Sequence, residues 1–156
     1  MSKDAVRDKV QQLLREGFFG EERAPGLRVG EPIAVLDPQG RRHSWYVPLQ
    51  VGPKLVGFAQ LLPSLEPMGV SRFAHRLPDF ADYPDLADWT DPARIRELAM
   101  AAARPDERLS EPVLSFDQNP SRLAWRVEAV SPTGAKRTLF VAGTTVYEAT
   151  GASGLF

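Results

Sequence analysis

The chain has 156 residues, of which 43% are hydrophobic, so it is long enough to bury a core of its own. It contains no cysteine, which excludes disulfides, thiolate chemistry and cysteine-bearing zinc sites. Nineteen basic and twenty acidic side chains leave a formal net charge of −1, which provides no overall field to attract nucleic acid.

The first predicted element is an amphipathic helix over residues 4–16. Val6, Val10 and Leu13 recur at the spacing of one helix face. The same stretch lacks the uninterrupted apolar run of a secretory signal, and no segment approaches the roughly 18 apolar residues of a membrane-spanning helix. We therefore expect a cytoplasmic protein that makes no membrane contact.

A turn over residues 37–40 precedes a predicted strand over residues 45–51. Alternation places Trp45, Val47, Leu49 and Val51 on one face and Tyr46, Pro48 and Gln50 on the other. We expect the first set to face the core and Tyr46 and Gln50 to be exposed. A further strand is predicted over residues 55–61.

Residues 63–90 are predicted to be a linker rich in proline, aspartate and aromatic residues. Aspartates recur there every third residue, at Asp79, Asp82, Asp85 and Asp88, and a large apolar residue follows each. This period suits a polyproline-II or 3₁₀ course with one acidic and one apolar ridge. Either the acids are simply solvated, or the acidic ridge receives a basic partner surface. Successive aspartates about 9 Å apart in an extended chain could not share one calcium ion.

The second half begins with a predicted helix over residues 92–104. Asp91 is its expected N-cap and Pro92 its first residue, and the buried stripe comprises Ile95, Leu98, Ala99 and Ala102. The following strand turns Leu123, Trp125, Val127 and Ala129 inward and Arg126 and Glu128 outward. Strands over residues 138–141 and 144–148 come next, and residues 151–156 are expected to be a flexible tail.

The two halves resemble each other in sequence. Stretches that begin at Glu31 and Glu111 align without a gap at six identical positions, and we call the separation between these two glutamates the repeat offset. Two of the three tryptophans fall in register, which favours duplication over coincidence. The matches are Glu31 with Glu111, Pro32 with Pro112, Asp37 with Asp117, Arg42 with Arg122, Trp45 with Trp125 and Val47 with Val127, and Arg28 pairs with Arg108 upstream.

The predicted fold class is therefore α+β, with two tandem copies of a helix packed on a small antiparallel sheet. The expected boundaries are 1–62 for the first copy and 91–150 for the second. Each copy is expected to have three to four strands, and the two sheets could join into one composite sheet. Residues 95–103, 124–130 and 139–151 carry a resemblance to the PepSY-like family, a helix followed by an antiparallel meander. That resemblance implies peptidase inhibition or regulation by binding.

No catalytic signature accompanies this pattern. The only histidines are His43, next to a turn, and His75, and neither has a convincing nucleophile or metal partner nearby in sequence. No phosphate-binding glycine loop occurs, and no metal or cofactor is expected. The best basic and aromatic cluster surrounds Arg41, Arg42 and His43.

The sequence thus predicts a non-enzymatic module that binds an unidentified protein through a surface built from both copies, as an inhibitor, chaperone or adaptor. The expected contact residues are Arg41, Arg42, His43, Tyr46, Gln50, Arg126 and Glu128. The alternative is a small-ligand or enzymatic domain whose pocket, between the copies, uses His43 or His75. Free sheet edges also allow homo-oligomers.

Overall fold

The computed structural model describes residues 2–16, 27–72, 83–117 and 123–148, without the side chains of residues 69–72. The chain combines helices with two antiparallel sheets, so the α+β class is confirmed. It divides into two compact units. The first unit comprises Met1–Val35 and Arg41–Leu86, and the second comprises Leu36–Gly40 and Ala87–Phe156.

The first unit contains one helix and a five-stranded sheet. Its elements are α1 (Lys3–Arg15), β1 (Leu27–Val29), β2 (Ile33–Leu36), β3 (Arg42–Val51), β4 (Lys54–Leu61) and β5 (Pro67–Arg72). The strand order is β1-β3-β4-β5, and β2 also pairs with β3. The long strand β3 is therefore the spine of this sheet.

Helix α1 forms where its sequence pattern predicts. The Ser2 side chain accepts a hydrogen bond from the Ala5 amide and caps the first turn. Val6, Val10 and Leu13 are buried against a cluster that includes Trp45 and Val47 of β3. The apolar stripe of the helix thus covers one face of the spine strand.

The second unit contains two helices and another five-stranded sheet. Its elements are α2 (Leu86–Thr90), α3 (Pro92–Ala102), β6 (Arg108–Leu109), β7 (Val113–Phe116), β8 (Leu123–Val130), β9 (Lys136–Ala142) and β10 (Thr145–Glu148). The order is β10-β9-β8-β6, with β7 also paired to β8. Asp91 caps α3 by accepting from the Ala93 amide, and Pro92 is its first residue, as predicted.

Some sequence predictions need correction. Each sheet has five strands instead of three to four, because short edge strands such as β1 and β6 leave no alternating pattern in the sequence. The predicted linker contributes β5 to the first sheet, and Leu86–Thr90 is a short α-helix instead of a polyproline-II or 3₁₀ segment. Helix α3 ends at Ala102, which is exposed, so only Ile95 and Ala99 of its expected stripe are fully buried. None of the described helices is long and apolar enough to cross a bilayer.

Candidate functional site

The connection between β1 and β2 shapes one edge of the first sheet. The Gly30 amide donates a 2.8 Å hydrogen bond to the Pro48 carbonyl on β3. Pro48 has no N–H that could donate back to Gly30, so the hydrogen bonding between β1 and β3 ends at this pair. The chain then leaves the sheet through Glu31. A Cβ on Gly30 would lie 2.8 Å from both the Gln50 Oε1 and the Pro48 Cγ, so only glycine allows this close approach.

An open groove of about 610 Å³ lies between α1 and β1, and we call it the β1 groove. Helix α1 contributes Arg7, Gln11 and Arg15 to its lining. Strand β1 contributes its three residues, and Gly30 and Glu31 also line the groove. Its size falls in the range of about 300–1,000 Å³ that is usual for ligand sites.

The β1 groove carries more positive than negative charge. Arg7 donates to the Glu31 carboxylate at 2.5 Å, and Lys3 lies 3.6 Å from the same group. Arg15 and Arg28 are exposed and form no ion pair with any residue that the structure describes. Two of the lining residues are therefore arginines without an ion-pair partner among the described residues, and each guanidinium has five N–H donors for an anionic ligand.

The predicted contact residues of β3 are mostly engaged within the first unit. The Arg42 guanidinium lies 4.7 Å from the ring centroid of Trp45, a cation–π contact. The His43 Nδ1 is 3.0 Å from the Ser44 Oγ. Arg41 is exposed, and Gln50 donates from Nε2 to the Gly52 carbonyl while its Oε1 approaches Gly30 beside the β1 groove.

The expectation that Tyr46 is exposed is wrong. Only 4% of Tyr46 is accessible, and its ring packs on Phe58 at a centroid distance of 4.8 Å. Burial raises the pKa of the Tyr46 hydroxyl above its ordinary value. Both faces of β3 are covered from Ser44 to Leu49, so the alternation along this strand separates two buried faces and not a core face from a solvent face.

Arg126 and Glu128 lie together in the second unit. The Arg126 Nη1 donates to the Pro38 carbonyl at 2.9 Å, and its Nε is 3.7 Å from a Glu128 carboxylate oxygen. That carboxylate also accepts from the Thr138 hydroxyl at 2.9 Å. Both side chains are half-buried. They were expected to face solvent, but most of their polar contacts are to residues of the same unit.

The two aspartates of the acidic ridge that the structure describes form ion pairs with residues of the same chain. Asp85 accepts from Lys54 at 2.7 Å, and Asp88 pairs with Arg94 at 3.0 Å. Asp79, Asp82 and His75 lie outside the described residues. The described part of the chain holds no group of three or more His, Cys, Asp or Glu side chains that could bind a metal ion.

Sequence reasoning missed the residues of the β1 groove. Arg28 and Glu31 both recur at the repeat offset, as Arg108 and Glu111. In the sequence, Glu31 is readily interpreted as a residue that only precedes a strand. In the structure its carboxylate accepts a hydrogen bond from Arg7 of α1. The recurrence of these two charged residues at the repeat offset was the sequence signal that pointed to the groove.

Comparison of the chain with protein-family models, with curated proteins and with solved structures finds no match. The resemblance to the PepSY-like family therefore stays a prediction.

Proposed function

We propose that the chain is a non-enzymatic protein-binding module whose β1 groove holds an acidic segment of a partner protein. The observation that carries this proposal is the pair of exposed arginines, Arg15 and Arg28, in an open groove where the described residues offer them no acidic partner. A carboxylate that bound there would form charge-assisted hydrogen bonds, which are the stronger class. A surface built from both units, the broader expectation, stays a prediction.

We also infer that the two units are copies of one folding unit. Trp45 lies opposite Leu61 in the first sheet, and Trp125 lies opposite Val141 in the second, so both partners are related by the repeat offset. Four further pairs of the same strands coincide in this way. The bond from Gly30 to the Pro48 carbonyl likewise has a counterpart at the repeat offset, from Ser110 to the Glu128 carbonyl.

An ion pair between helix and sheet supports the same inference. Arg7 pairs with Glu31, and Arg96 pairs with Glu111 at 3.1 Å. Each arginine is the fifth residue after the N-cap of its helix. The repeated pair explains why glutamate occurs at both positions 31 and 111, since it ties each helix to its sheet.

The alternative of a small-ligand or enzymatic domain receives less support. The His43 ring contacts the Ser44 hydroxyl, but Ser44 is fully buried and also accepts a hydrogen bond from the Gln60 amide. A substrate would have no access to that hydroxyl. We therefore favour binding over catalysis for this unit.

A charge-reversal experiment tests the proposed function. The probe is the fluorescein-labelled, C-amidated peptide Asp-Glu-Val-Asp-Glu-Val, and binding is measured by fluorescence anisotropy at low and physiological salt. The double variant Arg15→Glu with Arg28→Glu is expected to bind at least about tenfold more weakly, because two charge-assisted contacts become repulsive. Lys136→Glu, at an exposed position of the second unit, is the matched control. Absence of binding to the unaltered chain, or equal affinity for both variants, would contradict the proposal.

A further inference from the structure

Within the described part of the chain, strand β1 has a sheet partner on one side only. In the strand order β1-β3-β4-β5 it stands at the end of the first sheet. Its outer edge lies along the β1 groove, to which all three of its residues contribute. An edge strand of this kind presents a row of unpaired N–H and C=O groups to any extended chain beside it.

The register of β1 determines which backbone groups point outward. The bond from Gly30 to the Pro48 carbonyl identifies these two residues as a hydrogen-bonded pair, and such pairs alternate along an antiparallel ladder. Arg28 opposite Gln50 is then the next bonded pair. Leu27 and Val29 therefore turn their N–H and C=O groups away from β3, toward the groove.

We propose that the outer edge of β1 binds the acidic segment as an added β-strand, with its backbone paired to Leu27 and Val29. This inference rests on the proposed function and specifies the bound conformation. Main-chain hydrogen bonds would supply affinity that does not depend on the ligand sequence. The arginines would then select acidic side chains.

Side-chain alternation specifies the ligand further. Leu27 and Val29 pack against the core on the side of α1, so Arg28 between them points to the opposite face of the sheet. Arg15 belongs to the last turn of α1, on the first side. A strand added to β1 therefore meets a guanidinium on each face, and the matching ligand carries carboxylates on both faces.

Charge also argues against a second copy of this chain as the occupant. Pairing of two β1 edges would bring Arg28 of one copy close to Arg28 of the other. Like charges opposite each other destabilise a strand pair. An acidic segment has the complementary charge and meets no such repulsion.

The primary test uses the same hexapeptide with one backbone N-methyl group at a time, bound to the unaltered chain. An N-methyl group removes one N–H and leaves the charges in place. We expect losses of about tenfold or more at every second position and little change at the others, because only alternate residues of an added strand donate to β1.

The second test uses Val29→Pro, with Val29→Ala as its control. Proline removes the outward N–H of residue 29 without touching the bonds that Arg28 and Gly30 make to β3. We expect Val29→Pro to bind the probe about tenfold more weakly than Val29→Ala. Circular dichroism checks the fold, and if Val29→Pro unfolds, the N-methyl series decides alone.

The outcomes separate the two proposals. If binding depends on Arg15 and Arg28 but shows no alternation along the peptide, strand addition is overturned and the proposed function stands. If the peptide does not bind the unaltered chain, both fall. A homodimer in sedimentation analysis that Val29→Pro dissociates would assign the edge to a second copy and overturn the inference.

Discussion

Two tryptophans at corresponding positions of β3 and β8 provide a matched pair for a stability experiment. Trp45 and Trp125 are both buried, with 3% and 4% of their surface accessible. The Trp125 Nε1 donates to the Trp89 carbonyl at 2.7 Å. The Trp45 Nε1 is buried and has no hydrogen-bond partner among the described residues. Replacement by phenylalanine removes the N–H and about the same volume at both sites.

The two substitutions should have different effects on the free energy of unfolding. Each creates a small cavity that costs about 1 kcal/mol. Trp125→Phe also leaves the Trp89 carbonyl without its donor, which adds about 1–3 kcal/mol. Trp45→Phe removes an unsatisfied N–H instead, which offsets the cavity by about 1–3 kcal/mol, and weakens the contact with Arg42 by about 0.5 kcal/mol.

We therefore expect Trp125→Phe to lower the free energy of unfolding by about 2–4 kcal/mol. For Trp45→Phe we expect a change between a loss of about 0.5 kcal/mol and a gain of about 1.5 kcal/mol. Urea denaturation followed by circular dichroism measures both values and is independent of indole fluorescence. If two transitions are resolved, each substitution is assessed in the transition of its own unit. Equal losses, or a larger loss for Trp45→Phe, would refute the reasoning.

Three further predictions concern other local features. Hydrogen bonds from Arg137 lower the pKa of Glu107 to about 2, so this carboxylate stabilises the fold above the unfolded-state pKa of about 4.3 and loses its effect as the pH falls toward 2. In thermal unfolding, Glu107→Gln should lower the Tm at pH 7. Between about pH 5 and 2 the Tm of this variant should fall less steeply than that of the unaltered chain. Equal dependence of the two Tm values on pH would contradict this. Gly30→Ala would place a Cβ 2.8 Å from the Pro48 ring. We expect urea denaturation to show a loss of about 1–3 kcal/mol in the free energy of unfolding. An unchanged midpoint would show that this edge of the sheet relaxes without cost. Asp91→Ala removes the cap of α3 and should cost about 1 kcal/mol in the same assay, and an unaltered stability would mean that another group caps the helix.

The helices and the long strands were predictable because local signals and burial agree there. The spacing of Val6, Val10 and Leu13 placed α1 within one residue of its observed bounds. Asp91 followed by Pro92 placed the start of α3 correctly. The alternation of Trp125, Val127 and Ala129 matches their burial on β8. In each case the residues that define the pattern also make the tertiary contact.

The misassigned features depend on contacts that a single segment does not contain. Tyr46 looks like the exposed half of an alternating strand, yet Phe58 of β4 covers it. Strands β1 and β6 have only three and two residues, too few to show a period. The β1 groove combines residues of α1 with residues of β1, so Arg15 and Arg28 belong to different elements and share no local pattern.

The composition of the second unit affects how the protein can be dissected. That unit includes Leu36–Gly40, a stretch taken from within the first half of the chain. The Ser115 hydroxyl donates to the Leu36 carbonyl at 2.7 Å, and Arg126 donates to the Pro38 carbonyl. A fragment that starts at Ala87 would lack both acceptors, although one of its donors is fully buried. Severing the chain at the obvious midpoint should therefore yield an incomplete second half, and interaction studies should use the intact polypeptide.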